Sequence, residues 1–219
     1  MLHLKDIEKS YPDGSNANDV LRGVNLSVAK REFVAVTGES GSGKTTLLSI
    51  IGTLIKPDKG VYLLDGELIN SRTNIPELRN RKIGFVFQDH RLLPQYTLQQ
   101  NILLPTIAAQ KKATEEQVTY AGFLMNIVGI ASLANHFPAT VSGGEASRAA
   151  LCRALVMKPV LLLADEPSGQ LDSRNARNTI ALLKKMNTEL GTTILMVSHS
   201  KESVAEAERV LTLKDGLLS

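Results

Sequence analysis

Gly38-Glu39-Ser40-Gly41-Ser42-Gly43-Lys44-Thr45 follows the apolar run Phe33-Val34-Ala35-Val36 and leads into a stretch, Lys44 to Ile51, with the composition of a helix. The octet fits G-x-x-x-x-G-K-[ST], a loop that holds phosphate between a strand and a helix. Its composition follows from phosphate chemistry. Glycines let the backbone turn until successive N–H groups face one cavity, and the start of the next helix adds the positive end of its dipole. In such a loop Lys44 reaches the β- and γ-phosphates, Thr45 offers its hydroxyl to Mg²⁺, and Thr46 lies near the α-phosphate.

Working outward, Ile83 to Phe87, Val160 to Ala164 and Thr193 to Val197 are continuous apolar runs suited to strands buried on both faces of a parallel sheet. Residues 2–8 and 20–28 instead alternate apolar and polar side chains, with the turn-rich Pro12-Asp13-Gly14-Ser15-Asn16 between them. That pattern predicts antiparallel strands with one wet face. Val61-Tyr62-Leu63-Leu64 and Glu67-Leu68-Ile69 flank Asp65-Gly66, a pair that supplies the positive φ of a tight hairpin turn. From Leu92 to Met157 the spacing is helical, with helices expected over Leu98 to Gln110, Glu115 to Val128 and Ser142 to Met157. The fold class is therefore α/β: a P-loop NTPase (RecA-like) core with an N-terminal antiparallel β subdomain and an inserted α-helical subdomain. Within this single domain, 1–90 and 158–219 make the β subdomain and core, and 91–157 make the helical part.

The second half of the site is Leu161-Leu162-Leu163-Ala164-Asp165-Glu166. It is an apolar strand that delivers two carboxylates at its C-terminal end, where parallel sheets bind ligands. Asp165 suits coordination of Mg²⁺, directly or through water. Glu166, one residue on, suits orienting and polarising an attacking water. Together with the P-loop this predicts hydrolysis of MgATP.

Composition excludes several other classes. Hydrophobic residues make up 43% and charged residues 21% of the 219, ordinary values for a folded chain, so neither disorder nor a fibrous repeat is expected. The net charge of +3 is small, and the pairs Arg81-Lys82, Lys111-Lys112 and Lys184-Lys185 are scattered. They read as solvated surface, and no nucleic acid is expected as a partner. A single cysteine, Cys152, rules out an internal disulfide and fits a reducing compartment. Met1 to Asp6 lacks the basic-then-apolar pattern of a secretory signal, and no apolar run approaches the roughly 20 residues of a membrane helix. Work at a membrane would need a partner to hold the chain there.

Val141-Ser142-Gly143-Gly144-Glu145, shortly before the Asp-Glu strand, resembles the signature of the ATP-binding cassette family. The resemblance extends over nearly the whole chain. Gln88 after Phe85-Val86-Phe87 resembles the family's Q-loop glutamine, which touches Mg²⁺ and the hydrolytic water. Ser168-Gly169-Gln170-Leu171-Asp172 resembles its D-loop, and His199 in Val197-Ser198-His199 its switch histidine, which contacts the γ-phosphate. Tyr11 stands where the family stacks an aromatic on adenine. Four features depart from the common pattern: Val141, Glu145, the pair Ala146-Ser147, and Ser200, where aspartate is frequent.

What the resemblance implies goes further than the residues alone. It implies a homodimer that sandwiches two ATP molecules, with Ser142, Gly143, Gly144 and Asp172 of one subunit completing the P-loop site of the other. Gln88-Asp89-His90-Arg91-Leu92-Leu93-Pro94 and Asn101 to Pro105 are similar to the lipoprotein-releasing group of cassettes. That likeness implies a peripheral place on the cytoplasmic face of a bacterial inner membrane and a separate permease docked around Gln88 to Gln100. Competing classes are a soluble cassette ATPase of DNA repair or translation, a small-molecule kinase, and a nucleotide-binding module that does not hydrolyse. The first generally carries a coiled-coil insert or a second P-loop, neither of which is present; the second would not explain Ser142 to Glu145 or His199; the third is opposed by Glu166.

Overall fold

The structure, a computed structural model, describes residues 1–13, 16–109, 112–169 and 172–219. Gly14 and Ser15 of the expected turn, Gln110 at the expected helix end, Lys111, and Gln170-Leu171 of the D-loop-like segment lie outside the described residues.

Two sheets sandwich one helix. β1 (Leu2–Asp13), β2 (Asn16–Val28), β4 (Lys59–Leu64) and β5 (Glu67–Leu68) form an antiparallel sheet in the order β2-β1-β4-β5. β3 (Phe33–Thr37), β6 (Ile83–Val86), β7 (Leu161–Asp165), β8 (Thr193–Val197), β9 (Arg209–Lys214) and β10 (Leu217–Leu218) form the second sheet, in the order β10-β9-β3-β8-β7-β6. It is parallel except where β10 turns back on β9. The helix between the sheets, α1 (Lys44–Ile51), buries Leu47, Leu48, Ile50 and Ile51.

The continuous apolar runs are explained by the pleat, which sends successive side chains to opposite faces. Phe33, Ala35, Leu162, Ala164, Ile194 and Met196 enter one core. Val34, Val36, Leu161, Leu163, Leu195 and Val197 enter the other, with α1 and the antiparallel sheet. The first core continues without interruption into α3 (Leu98–Ala109), α4 (Glu115–Ile127) and α5 (Gly143–Leu155), so the helical segment shares its packing with the sheet. Ala149, Ala150, Cys152 and Ala154 give α5 a small-residue face, and its backbone comes so close to β6 that a side-chain carbon on Gly84 would overlap the Ala154 carbonyl oxygen.

The expected helices end close to their predicted limits: α3 begins at Leu98, Val128 caps α4, and Ser142 caps α5. The first two strands run longer than the spans 2–8 and 20–28. A bulge at Asp6 (φ 51), where Asp6 N–H donates to Asn25 Oδ1 at 3.1 Å, shifts the phase of β1 so that Leu4 and then Ile7 stay buried. Elements beyond those expectations are α2 (Ile75–Lys82), α6 (Ser173–Leu190), α7 (Lys201–Val204) and the β9-β10 hairpin. α6 buries a narrow stripe of Ile180, Leu183 and Met186 in a polar helix. The hairpin turns on Asp215-Gly216 (φ 50 and 77) just as β4-β5 turns on Asp65-Gly66 (φ 53 and 81).

Candidate functional site

Three parallel strands end at one place. β3 runs into the loop 38–43, β7 ends on Asp165, and β8 ends before Ser198 and His199. A cleft of about 400 Å³ there is lined by Lys44, Thr45, Thr46, Asp165, Glu166 and His199, together with Val20 and loop residues Ser40, Gly41 and Gly43. Residues 155 positions apart in the chain share this cleft because β3, β8 and β7 are neighbours in register, with Val36 beside Val197 and Val197 beside Asp165.

The loop leaves donors for an anion. α1 has no side-chain cap and no acidic residue in its first turn, so its N-terminal N–H groups have no local competitor for a phosphate oxygen. Gly43 (φ 99) sits against Val20, with space for no side chain: an added carbon would lie 2.9 Å from Val20 Cγ1. Gly38 is equally confined, by the Leu213 carbonyl and by Ser42 Oγ. Ser42 Oγ is itself buried and has no hydrogen-bond partner among the described residues. Lys44 Nζ folds back onto the carbonyls of Gly38 at 2.9 Å and Glu39 at 2.7 Å, which places its charge over the loop. A second cleft of about 420 Å³, which shares Val20, Ser40 and Gly41 with the first, contains Glu39, Ser42, Asn18, Arg22, Thr212 and Lys214 among its lining residues.

The carboxylates differ in environment. Burial pushes the Asp165 carboxyl above its ordinary range, neighbouring Glu166 adds to the shift, and Arg91 and Lys44 oppose it. Glu166 has left-handed backbone (φ 45), a strained setting for a glutamate, while its N–H still continues the ladder to Val197 O at 3.0 Å. The turn aims its carboxylate across to the end of β8. Ser198 Oγ donates to Glu166 Oε2 at 3.1 Å, and the His199 N–H donates to Oε1 at 3.0 Å. His199 Nδ1 lies 2.8 Å from Oε1.

The remaining expected residues lie elsewhere. Ser142 caps α5 through a full capping box: its Oγ accepts the Glu145 N–H at 3.3 Å, and Glu145 Oε2 accepts the Ser142 N–H at 2.7 Å. The departure at Glu145 thus keeps the cap, and these bonds hold the Glu145 carboxyl below its usual range. Gly144 abuts Asn175, whose amide donates to Asp172 Oδ2 at 2.6 Å. Ser142, Gly143, Gly144 and Asp172 do not line the Lys44 cleft. Neither does Gln88, whose amide lies against Gly169, nor Tyr11, an exposed ring on β1 with Lys9 Nζ 5.5 Å from its centroid. Two contributors went unread in the sequence: Ser198 as a donor to Glu166, and Arg91, whose charge reaches Asp165 and whose guanidinium stacks 4.1 Å from the Phe87 ring.

The donor set fits a magnesium nucleotide. Thr45 hydroxyl and Asp165 carboxylate share the cleft with an uncapped helix start, and among the described residues no three His, Cys, Asp or Glu side chains converge into a protein cage. Mg²⁺ is commonly held in this way, by one or two side chains plus substrate phosphates and water.

Comparison with known proteins agrees with the fold. Residues 21–169 match the family model described as ABC transporter. Over 221 residues the chain is 42% identical to the lipoprotein-releasing system ATP-binding protein LolD 1 of Rhodopirellula baltica, covering 100% of this chain and 96% of that protein. It is 41% identical to the macrolide export ATP-binding/permease protein MacB of the same organism, but spans only 32% of its length. Among solved structures, a dimeric ATP-binding cassette in a post-hydrolysis state bound to ADP and Pi superimposes with a TM-score of 0.89 at 38% identity, covering 100% of this chain and 97% of that one.

Proposed function

This chain belongs to the ABC transporter family as an ATP-hydrolysing subunit, and from that premise we propose that it drives lipoprotein release through a separate permease. The carrying observation is the Glu166 carboxylate, held by Ser198 and His199 at the rim of the cleft that contains Lys44 and Thr45. Glu166 orients the attacking water and accepts its proton, and His199 holds that carboxylate and faces the γ-phosphate. Lys44 exchanges the carbonyls of Gly38 and Glu39 for β- and γ-phosphate oxygens. The backbone of residues 38–46 cradles the phosphates, and Tyr11 stacks on the base. Thr45, Asp165 and, on closure, Gln88 would hold Mg²⁺, which would supply electrostatic stabilisation of the negative charge on the phosphates.

Ser142, Gly143, Gly144 and Asp172 serve the cleft of a second copy. Their absence from the lining of this chain's own cleft supports that division. The homodimer then closes on two ATP molecules, and the helical segment 91–157 transmits the movement. A groove of about 960 Å³, lined by Arg79, Phe85, Phe87, Leu104 and Pro105 among others, supplies the permease dock; of the segment Gln88 to Gln100 only Arg91 lines it. No helix among the described residues is long and apolar enough to cross a membrane, so attachment to the cytoplasmic face of an inner membrane falls to the permease.

The test is to identify the membrane protein encoded beside this chain and co-express the two, a four-span permease bearing a large extracytoplasmic domain being expected. Copurification and permease-stimulated phosphate release in MgATP are expected. A neighbouring six-span importer subunit that copurifies instead would overturn the lipoprotein reading.

A further inference from the structure

Ser198 is fully buried, and its hydroxyl lies between Glu166 and Ser200. It accepts the Ser200 N–H at 3.1 Å, which leaves its single proton for Glu166 Oε2, also at 3.1 Å. Ser200 Oγ accepts the Ser203 N–H at 3.3 Å. Ser203 Oγ lies 2.9 Å from Ser168 Oγ, and both side chains are buried. Ser168 is two residues beyond Glu166, in a turn where the Gly169 N–H donates to the Glu166 carbonyl at 2.9 Å. The bonds therefore close a ring that starts at the Glu166 carboxylate and returns to the Glu166 backbone.

We propose that Ser198, Ser200, Ser203 and Ser168 form a positioning relay that sets the direction of the Glu166 carboxylate; the inference rests on the reading of Glu166 as the group that receives the water's proton. The two oxygens are held differently. Oε1 is held by His199, whose side chain is 72% exposed and free to turn toward a bound phosphate. Among the described residues, Oε2 is held from the protein interior, by Ser198. When His199 turns away, Ser198 is the side chain that still fixes the carboxylate. The Ser200 backbone N–H orients the Ser198 hydroxyl, the Ser200 side chain holds that backbone in place by capping α7 through the Ser203 N–H, and Ser168 ties Ser203 to the turn that follows Glu166. Buried hydroxyls are expensive unless paired, and Ser168 and Ser203 pair with each other.

Steady-state ATP hydrolysis of Ser198→Ala, Ser200→Ala, Ser200→Thr and Glu166→Gln, measured beside titration with a fluorescent ATP analogue, tests the relay. Ser198→Ala is expected to lower kcat about tenfold, the loss typical of one hydrogen bond to a charged group, with KM and analogue affinity changed by less than about twofold. Ser200→Ala should follow in the same direction, and Ser200→Thr, which keeps the accepting hydroxyl, should restore wild-type turnover. If Ser198→Ala does not fold, the Ser200 pair carries the same decision. Wild-type kcat in both alanine variants, with Glu166→Gln stalled, would overturn the relay alone. Full turnover by Glu166→Gln would remove the underlying role of Glu166 instead.

Discussion

His199 Nδ1 stands 2.8 Å from Glu166 Oε1, and the His199 backbone N–H donates to the same oxygen at 3.0 Å. The two residues are brought together by one strand register, in which Asp165 of β7 lies beside Val197 of β8. The next residues on each strand, Glu166 and Ser198-His199, then leave the sheet at the same edge. A histidine already bonded to the carboxylate can hold it before nucleotide arrives and release it when a phosphate competes for the imidazole.

Glu166→Gln keeps the shape of the side chain and removes its capacity to take a proton. It is expected to bind ATP and accumulate as a closed dimer, with turnover down on the order of 100- to 10,000-fold. Phosphate release and size-exclusion chromatography in MgATP check this, and full turnover would sink the assigned role.

Lys44→Ala removes the cation that now rests on the Gly38 and Glu39 carbonyls. Those carbonyls cannot replace it, because they repel phosphate oxygens. Nucleotide binding is expected to be lost; micromolar affinity in a fluorescence titration would contradict the assignment.

Asp165→Asn separates folding from function. Burial and Glu166 raise the Asp165 carboxyl above its ordinary value in the folded chain, so folding favours its protonated form. Its contribution to stability is present in full below the ordinary carboxylate range and is lost as pH rises through the raised value. At neutral pH the neutral amide should therefore raise the thermal midpoint of the nucleotide- and Mg²⁺-free protein while Mg²⁺-dependent hydrolysis falls. A lower midpoint at pH 7 would show that the ionised carboxylate is well accommodated.

Gly84→Ala places a carbon where the backbone of α5 already lies, against the Ala154 carbonyl, and a backbone cannot swing aside as a flexible side chain does. A loss of about 1–3 kcal/mol is expected, visible as a lower urea midpoint with an unchanged m-value. An unchanged midpoint would mean that α5 can withdraw from β6 without cost.

Much of the fold was legible because its signals are local. Phe33 to Val36 and Ile194 to Val197 are apolar at every position, as a short strand covered on both faces requires. α6 was not legible: its buried stripe of Ile180, Leu183 and Met186 lies among polar residues, and its burial comes from the sheet beneath it. Asp215-Gly216 carries the same turn chemistry as Asp65-Gly66 and is followed by an equally short strand, so the β9-β10 hairpin carries the same local signal as β4-β5.

By itself the sequence determined the α/β class, the phosphate loop at Gly38 to Thr45 and the carboxylate pair at Asp165-Glu166. Each of these is chemistry concentrated in a few consecutive residues, so spacing along the chain is enough to reveal it. Only the tertiary structure decided that Lys44, Thr45, Asp165, Glu166 and His199 share one cleft while Ser142 to Gly144, Gln88 and Tyr11 do not line it. It also decided that Ser198 takes the second oxygen of Glu166. Those relationships depend on strand order and register, which pair residues far apart in the chain, and hydrogen bonds of about 3 Å exist only once that pairing is made.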